Sequence, residues 1–135
     1  MATIWSPRAR TDRWLEVEIA ACAAWAELGA VPRDAVEKIR AASYSLEEMA
    51  VFEAETQHDV TAFLRSVQKS LGPEGRYVHY GLTSSDVVDT GLALQIVAAC
   101  DVLDAELARL LTTLECLAVR HRDTLAIGRT HGVHA

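Results

Sequence analysis

Three stretches of this sequence, far apart along the chain, carry the side chains best suited to chemistry. They are His58-Asp59, His79 with the hydroxyl run that begins at Thr83, and Thr130-His131 with nearby His134. Histidine is the side chain that most readily gives or takes a proton near neutral pH. If the fold brings these stretches together, they could transfer protons on a small anionic molecule.

The second stretch, Tyr77 to Thr90, joins two kinds of sequence. Three hydroxyl residues, 83–85, and Asp86 stand just ahead of a long apolar-periodic run, which predicts the start of a helix. The first turn of a helix offers unpaired N–H groups and a partial positive charge, so it binds carboxylates or phosphates well. The commoner role of such residues is plain capping. His79 and Gly81 favour a site, since glycine lets another group approach the backbone closely.

Two other hypotheses stay open for these histidines. His131 and His134, with His58 or His79, could bind zinc, because imidazole is a good zinc ligand. Their spacing encloses a glycine and lacks the His-Glu-x-x-His pattern, which argues against a metal site. The other hypothesis is a helical interaction module without chemistry, in which His58 is only a surface residue of a turn. Zinc analysis and an activity assay would separate these hypotheses.

Composition and charge narrow the class of protein. The chain has 135 residues, half of them hydrophobic, which suffices for one domain with a modest core. Its net charge is −6 and the charges are mixed along the chain, so a nucleic-acid partner is not expected. No apolar stretch reaches the roughly 18 residues of a membrane span. The start of the sequence does not resemble a signal peptide, and the cytoplasm is the expected location.

Four short helices are predicted to position the first two stretches. Ser6 and Pro7 open the first helix, which stops near Gly29. The second runs from Pro32 to about Ala42, Ser45 caps the third, and the fourth, with Asp59 as its cap, ends at 71–73. His58 then lies at the junction of the third and fourth helices, where a side chain can point into a cleft.

A long helix is predicted from Asp86 to about Val119, with apolar residues around much of its circumference. Such a helix is buried on several sides, and four short helices cannot cover it. We therefore expect further helices from a longer chain or from partner subunits. Cys22, Cys100 and Cys116 fall within apolar helical patterns and are expected to be buried thiols. No strand pattern is present, so the predicted fold class is all-α.

Three segments of the chain closely resemble the bacterial adenylosuccinate lyases, of the fumarase/aspartase superfamily. They are 57–63 (QHDVTAF), 79–90 (HYGLTSSDVVDT) and 128–135 (GRTHGVHA). The resemblance spans nearly the whole chain, and the second motif is long and quite specific. It implies elimination of fumarate from adenylosuccinate, giving AMP, and from the succinylated aminoimidazole carboxamide ribotide of purine biosynthesis. No metal or organic cofactor is implied.

The resemblance also implies a role for each matching side chain. His131 matches the histidine given the general-acid role, and His58 matches a second catalytic histidine that positions the substrate and supports proton transfer. The side chains implied to contact the nucleotide substrate are Asp59, His79, Thr83, Ser84 and Thr130, the last of them at the succinyl part.

The architecture implied by the resemblance has three helical domains, with a central bundle that assembles as a homotetramer. Residues 1–82 would form a small N-terminal helical domain, and residues 83–135 the truncated start of the bundle. The catalytic base of these lyases is a serine in a Ser-Ser-x-Met-Pro-x-Lys-x-Asn-Pro loop, which this sequence lacks. These lyases usually also have an Arg-Tyr pair near the N-terminus that helps bind the nucleotide phosphate, and the first residues of this sequence contain no such pair.

The sequence stops within the third motif, 128–135, whereas natural termini usually trail off in dispensable residues. We therefore expect the chain to be part of a longer protein. We expect the 135 residues alone to be inactive. The alternatives are a non-catalytic helical assembly module and another fumarate-releasing lyase of the same superfamily.

Overall fold

The computed structural model describes residues 1–134, and at Thr130 it describes the backbone alone. The predicted all-α fold is confirmed. The α-helices are α1 (Pro7–Glu27), α2 (Arg33–Ile39), α3 (Leu46–Thr56), α4 (Asp59–Leu71) and α5 (Ser84–Arg120). A 3-10 helix, Gly72–Tyr77, links α4 to the loop before α5. A small hairpin follows α5, in which β1 (Arg129–Thr130) pairs antiparallel with β2 (Val133–His134).

The chain divides inside α5 into two compact units, Met1–Ala99 and the residues from Cys100 on. The first unit holds α1 to α4 and the start of α5. The second holds the rest of α5 and the hairpin. The domain boundary expected near residue 82 stays a prediction.

Helix ends in the first unit follow the local signals in the sequence. Ser6 caps α1 by accepting a hydrogen bond from the N–H of Ala9 at 3.1 Å, with Pro7 as the first helical residue. Ser45 caps α3 in the same way. Gly29, just past the end of α1, has a φ of +78°, which glycine adopts without strain.

Helix α2 ends at Ile39, three residues before the predicted end at Ala42. The N–H groups of Ala41 and Ala42 bond the carbonyls three residues earlier, at Lys38 and Ile39. Tighter bonds of this 3-10 type commonly close the end of a helix, so the regular α pattern stops before the favourable sequence does.

The core of the first unit forms where α1 crosses α4 and the start of α5. The indole of Trp14 meets the ring of Phe63 edge to face, with centroids 5.7 Å apart. Both side chains are buried, and the cluster around them comprises Cys22, Ile39, Met49, Val60, Val67, Val78 and Val87. This packing fixes α1 against the segments that carry His58 and His79.

In the second unit, α5 leaves a large apolar surface uncovered by the described residues. Six leucines of this part of the helix are 43–59% exposed: Leu103, Leu107, Leu110, Leu111, Leu114 and Leu117.

The prediction of buried cysteines is correct for Cys22 and wrong for Cys100 and Cys116, which are exposed. Both thiols do lie among apolar residues of α5, as predicted, but these apolar residues are themselves exposed in the structure of residues 1–134. None of the described helices has the length and hydropathy needed to cross a membrane.

Candidate active site

The start of α5 contacts the junction between α3 and α4 through His58. The Nε2 atom of His58 lies 3.4 Å from the hydroxyl oxygen of Ser84. The other ring nitrogen, Nδ1, accepts a hydrogen bond from the N–H of Thr61 at 3.3 Å. Because Nδ1 is an acceptor, the neutral ring carries its proton on Nε2 and donates it toward Ser84. The structure therefore brings two of the predicted site residues together.

His58, rather than the predicted Asp59, is the N-cap of α4. His58 has the extended backbone that a cap requires, with φ −150° and ψ 115°, whereas Asp59 is already helical. The Asp59 carboxylate accepts from the N–H of Val60 at 2.8 Å. It lies 3.8 Å from Nδ1 of His58, too far for a hydrogen bond but within reach of an ion pair when the ring is protonated.

His79 is held by a buried carboxylate that the sequence analysis did not single out. Its Nδ1 lies 2.7 Å from Oε1 of Glu18, and its backbone N–H donates to Oε2 of the same side chain at 2.8 Å. Glu18 is 0% exposed, and the side chain of His79 is 21% exposed. One signal could have found Glu18: it is a charged residue on the apolar stripe formed by Trp14, Cys22 and Trp25.

The same stripe of α1 fixes the rest of the loop that carries His79. The thiol of Cys22 donates to the carbonyl of Tyr77 at 3.3 Å, and the indole N–H of Trp25 donates to the carbonyl of Tyr80 at 2.8 Å. Burial, aided by the negative charge of Glu18, raises the pKa of the Cys22 thiol to about 11. Cys22 therefore stays a protonated donor to the loop.

At the first turn of α5, capping and ligand binding can coexist. The Asp86 carboxylate accepts from the N–H of Thr83 at 2.8 Å, and the carbonyl of Thr83 accepts from the N–H of Asp86 at 3.1 Å. The side chain of Asp86 thus makes one half of a capping box, in which an acidic residue of the first turn accepts from the N–H of the residue before the helix. Within residues 1–134 no acceptor contacts the N–H groups of Ser84 and Ser85. Both remain available to an anion.

The third predicted stretch lies in the second compact unit. His131 and Gly132, at φ +54° and +77°, form the two-residue turn between β1 and β2, and His134 is exposed on β2. Two positive φ values in succession are typical of a hairpin turn with the type I′ geometry. The side chain of Thr130 lies outside the described residues. That His131 and Thr130 join the site of His58 stays a prediction.

Backbone strain in the described part of the chain coincides with these segments. The non-glycine residues with positive φ are Gln57 at +54°, His79 at +67° and His131 at +54°. Two are candidate site residues and the third precedes His58. Left-handed backbone costs free energy in residues with a Cβ and tends to occur at functional sites. Among the described residues no group of three His, Cys, Asp or Glu side chains is placed to hold a metal ion.

Comparisons with known proteins identify the family of the chain. The family model described as "Lyase" matches residues 1–135. The chain is 47% identical over 139 aligned residues to "Adenylosuccinate lyase" of Aquifex aeolicus (strain VF5), covering 100% of this chain and 32% of that protein. The chain thus spans about a third of the length of the curated relative it matches.

Two solved structures superpose closely on the chain. A fumarate lyase from Mesorhizobium sp. BNC1 superposes with a TM-score of 0.91 at 28% identity, over 99% of this chain and 33% of that one. The 3-carboxy-cis,cis-muconate lactonizing enzyme from Pseudomonas putida superposes with a TM-score of 0.91 at 37% identity, over 99% and 32%.

Proposed function

The chain belongs to the lyase family whose sequence model matches residues 1–135. We therefore propose that it is the N-terminal part of an adenylosuccinate lyase. The enzyme would eliminate fumarate from adenylosuccinate, giving AMP, and from the succinylated aminoimidazole carboxamide ribotide in purine biosynthesis. The identity of 47% to an adenylosuccinate lyase supports this choice of substrate.

The contact between His58 and Ser84 is the observation that carries the proposal. It places an imidazole N–H donor beside a hydroxyl in the first turn of a 37-residue helix. With the N–H groups of Ser84 and Ser85 it gives a set of donors that suits a carboxylate. Adenylosuccinate offers such carboxylates next to the bonds that break.

The proposed reaction is a β-elimination. A base removes the proton next to a carboxylate of the succinyl group, and the carbanion is stabilised as an aci-carboxylate. The C–N bond then breaks, the new double bond yields fumarate, and an acid protonates the departing nitrogen. We assign the acid to His131 and the base to residues outside this sequence, with no metal or organic cofactor.

The remaining side chains bind and orient the substrate in this proposal. His58 would position the succinyl group and support proton transfer. The proposed substrate contacts are Asp59, His79, Thr83, Ser84 and Thr130. The exposed leucines of α5 would be covered in a cytoplasmic homotetramer, since obligate interfaces resemble a domain core cut in half.

The test is fumarate release from adenylosuccinate, measured with the whole gene product and with the 135-residue chain. We expect activity only in a protein that also supplies the base. In the active protein, His131→Gln should lower kcat by about 10²- to 10⁴-fold, the range for loss of a general acid. The matched control, His121→Gln, changes an exposed histidine that follows α5 and should leave kcat unchanged. Activity in the purified short chain, or an active His131→Gln protein, would contradict the proposal.

A second candidate is a lyase or cycloisomerase acting on a different polycarboxylate. The superposition on the muconate lactonizing enzyme, at 37% identity, favours it. Assays with adenylosuccinate and 3-carboxy-cis,cis-muconate side by side distinguish the two. Turnover of the muconate alone would support the second candidate, and turnover of neither by the whole gene product would favour a non-catalytic assembly role.

A further inference from the structure

We propose that Glu18 is a positioning residue that keeps a proton on Nδ1 of His79, so that His79 gains and loses protons at Nε2 only. The carboxylate is fully buried, and both of its oxygens face groups of the same residue. Oε2 accepts from the backbone N–H at 2.8 Å and Oε1 lies 2.7 Å from Nδ1. A carboxylate oxygen at that distance accepts a hydrogen bond, so the proton lies on Nδ1.

Burial of Glu18 would be unfavourable if its oxygens had no partners. Within residues 1–134, neither lysine nor arginine contacts this carboxylate, and its hydrogen-bond donors both belong to His79. The two bonds fix the ring and the left-handed backbone of His79 together. Glu18 is thus placed to orient one histidine rather than to hold two helices together.

The two histidines of the first unit therefore carry the proton of the neutral ring on different nitrogens. His58 accepts at Nδ1, from the N–H of Thr61, and presents a donor at Nε2. His79 donates at Nδ1 and presents an acceptor at Nε2. A neutral His79 would accept a hydrogen bond from a hydroxyl or N–H of the ligand. After gaining a proton at Nε2 it would donate to an anion, with Glu18 balancing the charge.

The proton position can be measured without any assay of activity. The probe is the ¹⁵N signal of the imidazole nitrogens in the whole gene product labelled with [¹⁵N]histidine, assigned by difference with a His79→Gln variant. We expect Nδ1 of His79 to be protonated and Nδ1 of His58 to be unprotonated in the neutral ring. An unprotonated Nδ1 in His79 would overturn the proposal, whether or not any variant folds.

Glu18→Gln provides the second readout. The backbone N–H of His79 can only donate, so it takes the oxygen of the new side-chain amide and leaves the NH₂ group facing Nδ1. Nδ1 must then accept, and the ring proton moves to Nε2. Glu18→Asp keeps a carboxylate and should keep the proton on Nδ1. Glu16→Gln, on the exposed side of α1, is the matched control and should change neither histidine. A ring proton that stays on Nδ1 in the Glu18→Gln protein would overturn the proposal.

The catalytic consequence rests on the proposed function. If fumarate release is confirmed, Glu18→Gln should lower kcat/KM by about 10- to 100-fold. This is the range observed when the hydrogen-bond partner that orients a metal-bound histidine is removed, and Glu18 would orient His79 in the same way. Glu18→Asp should recover part of that loss and Glu16→Gln should lose nothing. Full activity of a folded Glu18→Gln protein would overturn the role in positioning. Failure of the fumarate assay itself would refute the proposed function and leave the proton position to the ¹⁵N measurement.

Discussion

Gly81 lies where the loop before α5 passes close to α1. Its φ is +74°, and a Cβ added there would stand 2.9 Å from Cζ2 of Trp25. The indole is held in turn by its bond to the carbonyl of Tyr80, so it cannot move aside without losing that bond. The absence of a side chain at this position therefore allows the loop carrying His79 to approach α1.

Gly81→Ala is expected to lower the free energy of unfolding by about 2–4 kcal/mol, from left-handed strain and overpacking together. Gly29→Ala is the matched control, because Gly29 has a φ of +78° and nothing within 4 Å of an added Cβ. That control should lose only the strain of about 1–2 kcal/mol. Urea unfolding measures both, and equal losses would show that the contact with Trp25 does not matter.

Cys22 should resist alkylation in the folded protein. With a pKa of about 11, raised by burial and by Glu18, roughly one thiol in a thousand is ionised at pH 8, and only the thiolate reacts. We expect iodoacetamide to modify the exposed Cys100 and Cys116 in the native chain and all three cysteines in denaturant. Mass spectrometry counts the adducts. Modification of native Cys22 at the rate of the exposed thiols would contradict this packing.

At the scale of single residues, sequence reasoning assigned His58 and Ser84 to one candidate site, and their side chains lie 3.4 Å apart, but it missed the contacts that hold His58 and His79. A histidine is an uncommon N-cap, so the usual preference for Asp favoured Asp59. Glu18 was overlooked because its role depends on a contact across 61 positions of the chain, to His79. Only its place on an apolar stripe marks it in the sequence.

Among the helices, α5 has a first turn in which one carboxylate acts as the cap. Asp86→Ala should therefore cost about 1 kcal/mol of unfolding free energy, because it removes a hydrogen bond to the N–H of Thr83 and a negative charge from the helix N-terminus. Asp89→Ala, one turn later, removes the same charge from a side chain without a hydrogen bond among the described residues, and should cost less. Thermal unfolding of the two variants compares them directly. Equal losses would mean that the negative charge of Asp86, rather than its hydrogen bond to the N–H of Thr83, stabilises the helix start.

Helix boundaries were predictable where the signal is local. Ser6, Ser45 and Gly29 act through hydrogen bonds or φ values within a few residues, and each prediction is confirmed. The end of α2 was not, because the residues after Ile39 have no stop signal and the choice of 3-10 bonds depends on the packing around them.

For the whole molecule, the main feature is the leucine seam on the second half of α5. Leu103, Leu107, Leu110, Leu114 and Leu117 alternate spacings of four and three, the heptad pattern that packs helices side by side. All are exposed to solvent in the single chain. The sequence predicted that this surface needs a partner but could not identify the partner, because the contacts that would cover it lie outside residues 1–134.

We expect the chain to self-associate through this seam. The double variant Leu110→Lys/Leu114→Lys should weaken association at least about tenfold, because each leucine contributes roughly 1.5–3 kcal/mol when buried and tenfold equals about 1.4 kcal/mol. Ala108→Lys/Thr112→Lys adds the same two charges, at the same spacing, to the opposite side of the helix and serves as the control. Sedimentation equilibrium over a range of concentrations measures both. A monomeric unsubstituted chain would show that the seam needs a different partner.

The left-handed backbone at Gln57, His79 and His131 has a consequence for engineering this protein. At Gln57 and His131, replacement by glycine would relieve about 1 kcal/mol or more of this strain, since glycine adopts such angles without a steric penalty. At His79 the same change would leave Oε1 of the buried Glu18 without its partner, so it would not stabilise the fold. A library selected for heat tolerance alone would therefore be enriched in glycine at Gln57 and His131. The selected proteins would be more stable but would have lost the imidazole of His131, an example of the trade-off between stability and activity. Thermostabilisation should keep His131 unchanged.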